Sequence, residues 1–388
     1  MKDVVLNLPL QTDSKTAAAE WPPRPRCLAF ALTVGVFLYI LPLDLLLPTR
    51  PFAILSRHLF GERYCHPEEL GIGKWLLRTE DAAVDGHTWP RLKASVGYGF
   101  CEDANRTALS CASRHPDGLR QLQKLNRWEW KPHGCAIRPF DPAAFVERLA
   151  EIAEKGKGGR GLLFVGGRSA QRQAQSLECL LGQYVDKGSL TDANRSGVYL
   201  AENAGKIEFV RNEYLANPVD WTLSLPEDAD PILANDTTSD RWTPLVSDKA
   251  FIVINSGEEL GPLTPARLAR YTDTAKQVID FIDSRSQATL IVRASIPPLP
   301  LACTVNTSST FESSGVTSAE TRKAADIEAF NTVWKDLLWD HPKHVFLDVS
   351  NVMASIPPPA NASCLRDCLP GPTDTWNTLL NHVILQSS

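Results

Sequence analysis

The chain has 388 residues, 43% hydrophobic and 22% charged, with a formal net charge of −5. That length and composition fit one large globular domain or two ordinary ones and exclude a disordered or fibrous chain. The acidic balance and the lack of any basic stripe exclude nucleic acid as a partner on electrostatic grounds.

Residues 1–26 are polar and end in Trp21-Pro22-Pro23-Arg24-Pro25-Arg26, which reads as a short cytosolic tail. Residues 27–48 follow, charge-free from Cys27 to Leu43, close to the ~20 apolar residues that span a bilayer. Arg24 and Arg26 at the amino edge favour a single-pass anchor with its amino end in the cytosol, against a weak opposing set of Arg50, Arg57 and Arg63. A cleaved signal peptide is the competing reading, but the leading tail is long and no small-residue cleavage site follows.

Cys27 opens the apolar stretch, and Cys65, Cys101, Cys111, Cys135, Cys179, Cys303, Cys364 and Cys368 all follow it. An even number beyond a membrane segment predicts disulfides in an oxidising lumen. Cys364 and Cys368 resemble half a zinc site, but no second close pair completes it, so no metal is expected. The sequons at Asn105, Asn194, Asn235, Asn306 and Asn361 lie on the same side of the apolar stretch, in agreement with a luminal, glycosylated region.

Residues 49–141 read as a loop-rich, cysteine-rich segment, and residues 142–388 as an α/β domain. Trp128 and Trp130, two apart, are read first as packing aromatics; period-two aromatics also line sugar-binding faces. Phe145, Leu149 and Ile152 mark a helix. Leu162 to Val165 is a short buried-strand run, broken by Gly166-Gly167, which tolerate φ > 0. Ser169 to Leu181 then has Leu177, Leu180 and Leu181 at helical spacing. Such a strand, glycine turn and helix place the turn at the carboxyl edge of a parallel sheet, where open α/β sheets bind their ligands. Further strands are expected at Lys206–Leu215, Ala250–Ile254, Thr289–Arg293 and His344–Asp348, with helices at Thr264–Ser286 and Ala319–Trp339. This alternation predicts a doubly wound, mainly parallel sheet covered on both faces.

Several of these stretches resemble the trichome birefringence-like and PC-esterase family of plants. The family's first block reads roughly F-V-G-D-S-L-S-R-N-Q-W-x-S-L-x-C-L-L; Gly166 to Gln173 falls in step without a gap, as does Ser176-Leu177-Glu178-Cys179-Leu180-Leu181. Its W-R-W-x-P-x-x-C-x-L-P-x-F-D is matched by Trp128-Glu129-Trp130-Lys131-Pro132-His133-Gly134-Cys135 and Arg138-Pro139-Phe140-Asp141. Its N-T-G-H-W becomes Asn255-Ser256-Gly257-Glu258-Glu259, and its F-R-T-x-S-P keeps the Arg as Arg293. Its terminal D-C-x-H-W-C-L-P-G-x-P-D-x-W becomes Ser363-Cys364-Leu365-Arg366-Asp367-Cys368-Leu369-Pro370-Gly371-Pro372-Thr373-Asp374-Thr375-Trp376. The resemblance implies an SGNH/GDSL-like fold wrapped by the cysteine-rich segment. By position it also implies the pairs Cys65 with Cys135, Cys101 with Cys179, Cys111 with Cys368, and Cys303 with Cys364.

The family's Ser-Asp-His triad falls on Arg168, Ser363 and Arg366. A Ser nucleophile needs a base to take its proton, and an Arg stays protonated at physiological pH. The first expectation is therefore a membrane-anchored, catalytically degenerate relative of polysaccharide O-acetyltransferases. Its partners would be a polysaccharide or glycoprotein glycan and an active paralogue, and it would need no cofactor. The second is an active O-acyltransferase or esterase using Ser169 as a shifted nucleophile, with His382 and Asp374 in the terminal region as its helpers. Gly166, Gly167, Asn255 and Arg293 are the expected binding residues, Asn255 being either an oxyanion donor or a turn former. Arg168 and Arg366 are expected to converge in the pocket, with Glu258, Glu259 and Asp367 as counter-charges.

Overall fold

The computed structural model describes residues 63–77, 128–156, 159–191, 195–215, 242–258, 260–296, 318–356 and 371–387. All lie in one compact unit, Glu62–Ser388. The expected tail, anchor and sequons, and Glu259, Ser363, Arg366 and Asp367, fall outside the described residues. Among those described, no helix is long and apolar enough to cross a membrane.

The strands are β1 (Gly73–Leu77), β2 (Trp128–Pro132), β3 (Gly161–Gly166), β4 (Val185–Thr191), β5 (Arg195–Leu200), β6 (Lys206–Arg211), β7 (Phe251–Asn255), β8 (Thr289–Arg293) and β9 (Val345–Leu347). The helices are α1 (Pro142–Glu154), α2 (Arg168–Leu181), α3 (Pro265–Arg285), α4 (Ser318–Trp339), α5 (Ser350–Ala354) and α6 (Pro372–Gln386). β1 and β2 form a two-stranded sheet, and the other strands form one of seven in the order β4-β5-β6-β3-β7-β8-β9. From β6 to β9 every pairing is parallel, while β4–β5 and β5–β6 are antiparallel. The sheet is mixed and mostly parallel, and the five strands expected from the sequence lie in it as β3, β6, β7, β8 and β9.

β3 is central, and its apolar run serves both faces. Leu162 and Phe164 enter a core with α1, α2 and α6, while Leu163 and Val165 enter another with α3 and α4. Side chains alternate along a strand, so a continuous apolar run is what a strand covered on both faces requires. All four are fully buried, each contributing about 1.5–3 kcal/mol. Local signals set the helix starts. Asp141 caps α1, accepting from the amides of Ala143 and Ala144, and Thr264 caps α3, accepting from Arg267; each is followed by Pro at the first helical position.

The described ends of the cysteine-rich segment dock on the sheet domain. Cys65 and Cys135 are bonded, with Cα atoms 4.9 Å apart. Cys179 is also disulfide-bonded, and its expected partner Cys101 lies outside the described residues, as do Cys111, Cys303, Cys364 and Cys368. Trp130 is 2% exposed and donates from Nε1 to the Leu70 carbonyl; Trp75 meets its ring edge-on and donates to the Val352 carbonyl. Trp130 is a packing residue, closed off from any sugar.

Candidate functional site

The chain leaves β3 through α2 on one face of the sheet and reaches β6 on one side of β3. It then places β7 on the other side and crosses the opposite face through α3. The carboxyl ends of β6, β3 and β7 therefore meet at the topological switch point, where such sheets open a crevice. A shallow depression open to solvent lies there, its enclosed part about 10 Å³, room for about one water. Gly167 lines it from the end of β3, Glu213 from the end of β6, and Asn255, Ser256, Gly257 and Glu258 from the end of β7.

Two glycines permit this closure. Gly166 has φ +154°, and a Cβ there would lie 2.3 Å from the Asn255 carbonyl oxygen, so only glycine lets β3 and β7 meet at this level. A Cβ at Gly167 would lie 2.9 Å from Cγ of Glu213. The carboxylate from β6 thus fills the space beside the turn. Glu213 is held by Arg211, whose Nη2 is 2.9 Å from its Oε1. Nothing in the local sequence marks Glu213; only its place just past a strand end could have suggested it.

Arg168, the first residue of α2, is exposed, so it does not supply a buried guanidinium to a converging pair. The buried cation is Arg293, 1% exposed at the end of β8. Its Nη2 donates to Ser169 Oγ at 2.8 Å, its Nη1 donates to the Ala294 carbonyl at 3.1 Å, and its guanidinium stacks 4.4 Å from the Trp376 ring centroid. Glu258 lies 3.8 Å from Nη2 and accepts from the Ile296 amide at 3.2 Å. Burial disfavours the lone cation, and the carboxylate with the aromatic face offsets that cost.

Asn255 is buried, and its amide donates to Ser295 Oγ at 3.0 Å and to the Arg293 carbonyl at 3.4 Å. Both donors are used to fix β7 to the end of β8, which makes Asn255 a positioning residue. Next to it, Ser256 bonds Tyr271, which donates to the Ser256 carbonyl at 3.1 Å and accepts from Trp334 Nε1 at 2.7 Å. Burial pushes the Tyr271 phenol up to about 12, so it remains a neutral donor at physiological pH.

The helpers considered for Ser169 are elsewhere. His382 is fully buried, with Nδ1 on the Arg138 amide and Nε2 on the Cys65 carbonyl, each at 2.9 Å. Asp374 accepts from Ser176 Oγ at 2.5 Å and from the Gly371 amide at 3.0 Å, which caps α6. Among the described residues, Ser169 Oγ bonds Arg293 and no histidine reaches it. Away from the cleft, Asp283, His341 and His344 have their donor atoms within 4.8 Å of one another. His344 Nδ1 accepts from the Leu290 amide at 3.1 Å, so the neutral ring carries its proton on Nε2, facing Asp283 at 3.1 Å. A metal-binding imidazole needs that nitrogen bare.

No protein-family model matches the chain. It is 25% identical to trichome birefringence-like 9 of Arabidopsis thaliana over 41% of this chain and 35% of that protein. It is 30% identical to xylan O-acetyltransferase 3 of Oryza sativa subsp. japonica over 26% of this chain and 20% of that one. Trichome birefringence-like 7 of Arabidopsis thaliana is matched at 24% identity over 66% of this chain and 63% of that protein. Each match therefore spans less than two thirds of the relative. Among solved structures, a peptidoglycan O-acetylesterase is matched over 64% of this chain and 97% of that one, with 11% identity and a TM-score of 0.32, too slight a likeness to bear on activity. In sequence, the chain is a divergent relative of the trichome birefringence-like and xylan O-acetyltransferase proteins.

Proposed function

We propose that this chain is a membrane-anchored, luminal glycan-binding protein that does not transfer acyl groups and supports O-acetylation of a polysaccharide or glycoprotein glycan by an active paralogue. The observation that carries this reading is the bond from Arg293 to Ser169 Oγ, with no histidine reaching that hydroxyl among the described residues. A guanidinium cannot take the serine proton, so among the described residues the hydroxyl of Ser169 has a donor beside it and no histidine base. The position matching the family's nucleophile is Arg168, which faces solvent.

The cleft lining supports a hydroxyl-rich, uncharged glycan over an acidic one. Its charged lining groups are the carboxylates of Glu213 and Glu258, each beside an arginine, which accept hydrogen bonds from sugar hydroxyls and offer no unpaired cation to a sulfate or uronate among the lining residues. The test uses the full chain, expressed through a eukaryotic secretory pathway and solubilised. Binding is measured to neutral xylan and mannan oligosaccharides and to uronate-rich ones, with hydrolysis of p-nitrophenyl acetate followed in parallel. The expected result is binding to a neutral oligosaccharide, weakened by Glu213→Ala, with no turnover. Turnover that survives Arg168→Ala and disappears in Ser169→Ala would replace this reading with an active enzyme. Release of the chain from membranes by alkaline carbonate would remove the anchor.

A further inference from the structure

His382 joins two chain segments that a disulfide already holds together. Its Nδ1 accepts from the Arg138 amide and its Nε2 faces the Cys65 carbonyl, both at 2.9 Å, so the neutral tautomer with its proton on Nε2 satisfies both. Cys65 is bonded to Cys135, 70 positions away. Beside that bond the Cys65 amide donates to the Ala136 carbonyl at 3.0 Å, and the Ala136 amide to the Arg63 carbonyl at 2.9 Å. One buried imidazole on α6 therefore grips both ends of a closed loop. Gln386, one helical turn on, adds a bond to the same Cys65 carbonyl at 3.0 Å.

A second proton on this ring has no acceptor. Nδ1 would present an N–H to the Arg138 N–H, two donors face to face, and the Arg138 bond would be lost. The titratable groups facing the ring are Tyr64 from one segment, with ring centroids 6.1 Å apart, and Arg138 from the other, with its guanidinium 4.5 Å over the Tyr64 ring. Next along the first segment, Arg63 is paired with Glu69 at the surface. Burial holds the imidazole below the usual histidine range against the opposing hydrogen bond to the Cys65 carbonyl, and the Arg138 charge adds a smaller lowering. His344 is also wired through Nδ1 to a backbone amide, but its Nε2 faces the Asp283 carboxylate, which would receive the charge.

We propose that neutral His382 is an acid-releasable latch, fastening the disulfide-closed base of the Cys65–Cys135 loop to the terminal helix α6. Protonation at mildly acidic pH frees Arg138 and loosens the base of the loop while the disulfide stays closed.

The test is hydrogen–deuterium exchange on the full chain at pH 7.5 and pH 5.0, corrected for intrinsic exchange. Protection of the Arg138 amide should fall about tenfold at the lower pH, the order expected for losing one buried hydrogen bond. His382→Asn keeps an acceptor near the Nδ1 position and cannot titrate, so its protection should not change with pH. Unchanged protection in the native chain, or an equal fall in His382→Asn, would overturn the proposal. If His382→Asn does not fold, NMR of the native chain with 15N-labelled histidine replaces it. A ring that gains its second proton as Arg138 protection falls supports the latch, and one that stays neutral through the loss of protection refutes it.

Discussion

Replacing Arg293 by Met tests whether the cation at the end of β8 organises the site. Met approximates the length of the aliphatic stem but removes the charge and the donors to Ser169 and Ala294. It leaves the Glu258 carboxylate, 3.8 Å from the lost Nη2 and 16% exposed, without that cation. At an effective dielectric of about 20 the direct attraction across that distance is about 4 kcal/mol, most of it offset by desolvation. Removing one partner of a buried pair costs about 3–5 kcal/mol, because the other is left charged in a dry place. R293M should therefore lower the unfolding free energy of the full chain by about 3–4 kcal/mol in urea, with an unchanged slope. Neutralising the orphan should recover part of that loss, so a double-mutant cycle with E258Q should show coupling of about 1–2 kcal/mol. A loss below about 1 kcal/mol, or no coupling to Glu258, would refute the view that Arg293 is the structural cation of this site.

The turn after β3 gives a second prediction. Gly167→Asp should destabilise the chain by about 1–3 kcal/mol, since the new Cβ would meet Glu213, and Glu213→Ala should relieve most of that cost; equal destabilisation in both backgrounds would argue against it. Opening the described disulfide with Cys65→Ala and Cys135→Ala removes a closure of 70 positions and should cost about 2–5 kcal/mol, read as a lowered midpoint in denaturant. His344 adds a pH dependence: burial dominates over the Asp283 charge and holds its folded-state value below the usual histidine range. As pH falls through that range the unfolded chain takes up a proton that the native chain refuses, so stability declines on acidification. His344→Asn should flatten that part of a melting-temperature profile between pH 7 and pH 5; an unchanged profile would count against this assignment.

The parallel core was legible because its strands are buried on both faces. Leu162–Val165, the runs ending at Ile254 and Arg293, and the last short strand are continuous apolar stretches that few other local structures need. The hairpin of β4 and β5 was not legible: Val185-Asp186-Lys187-Gly188 and Arg195-Ser196-Gly197 lack the alternation that separates an edge strand from a loop. Helix α6 was missed for a different reason. Pro370-Gly371-Pro372 reads as a turn, yet Pro372 sits at the first helical position, where proline is well tolerated, and Asp374 returns to cap the Gly371 amide. At the site, Gly166 and Gly167 announced the turn. The partner of Ser169 lies 124 positions away on another strand, and no local pattern could reveal that bond.

The departures at this site fit one another physically. Where the family pattern carries an Asp side chain on the turn, Gly167 carries none, and Glu213 from β6 occupies the adjoining space. Where the pattern has a histidine after the glycine that follows β7, Glu258 stands 3.8 Å from Arg293, and Arg293 in turn donates to Ser169 Oγ. A carboxylate beside the turn, a carboxylate after the next strand and a cation behind the serine make, among the described residues, a set of paired charges with no histidine beside Ser169. Changing Arg168 back to Ser would add a hydroxyl at the solvent-facing start of α2 and leave these contacts intact. The turn would still lack its carboxylate, Glu213 would still obstruct one, and Arg293 would still hold Ser169 from behind. On the proposed reading, acyl-transfer chemistry would require rebuilding the walls of the cleft together with the nucleophile, so Arg168→Ser alone should produce no turnover of p-nitrophenyl acetate.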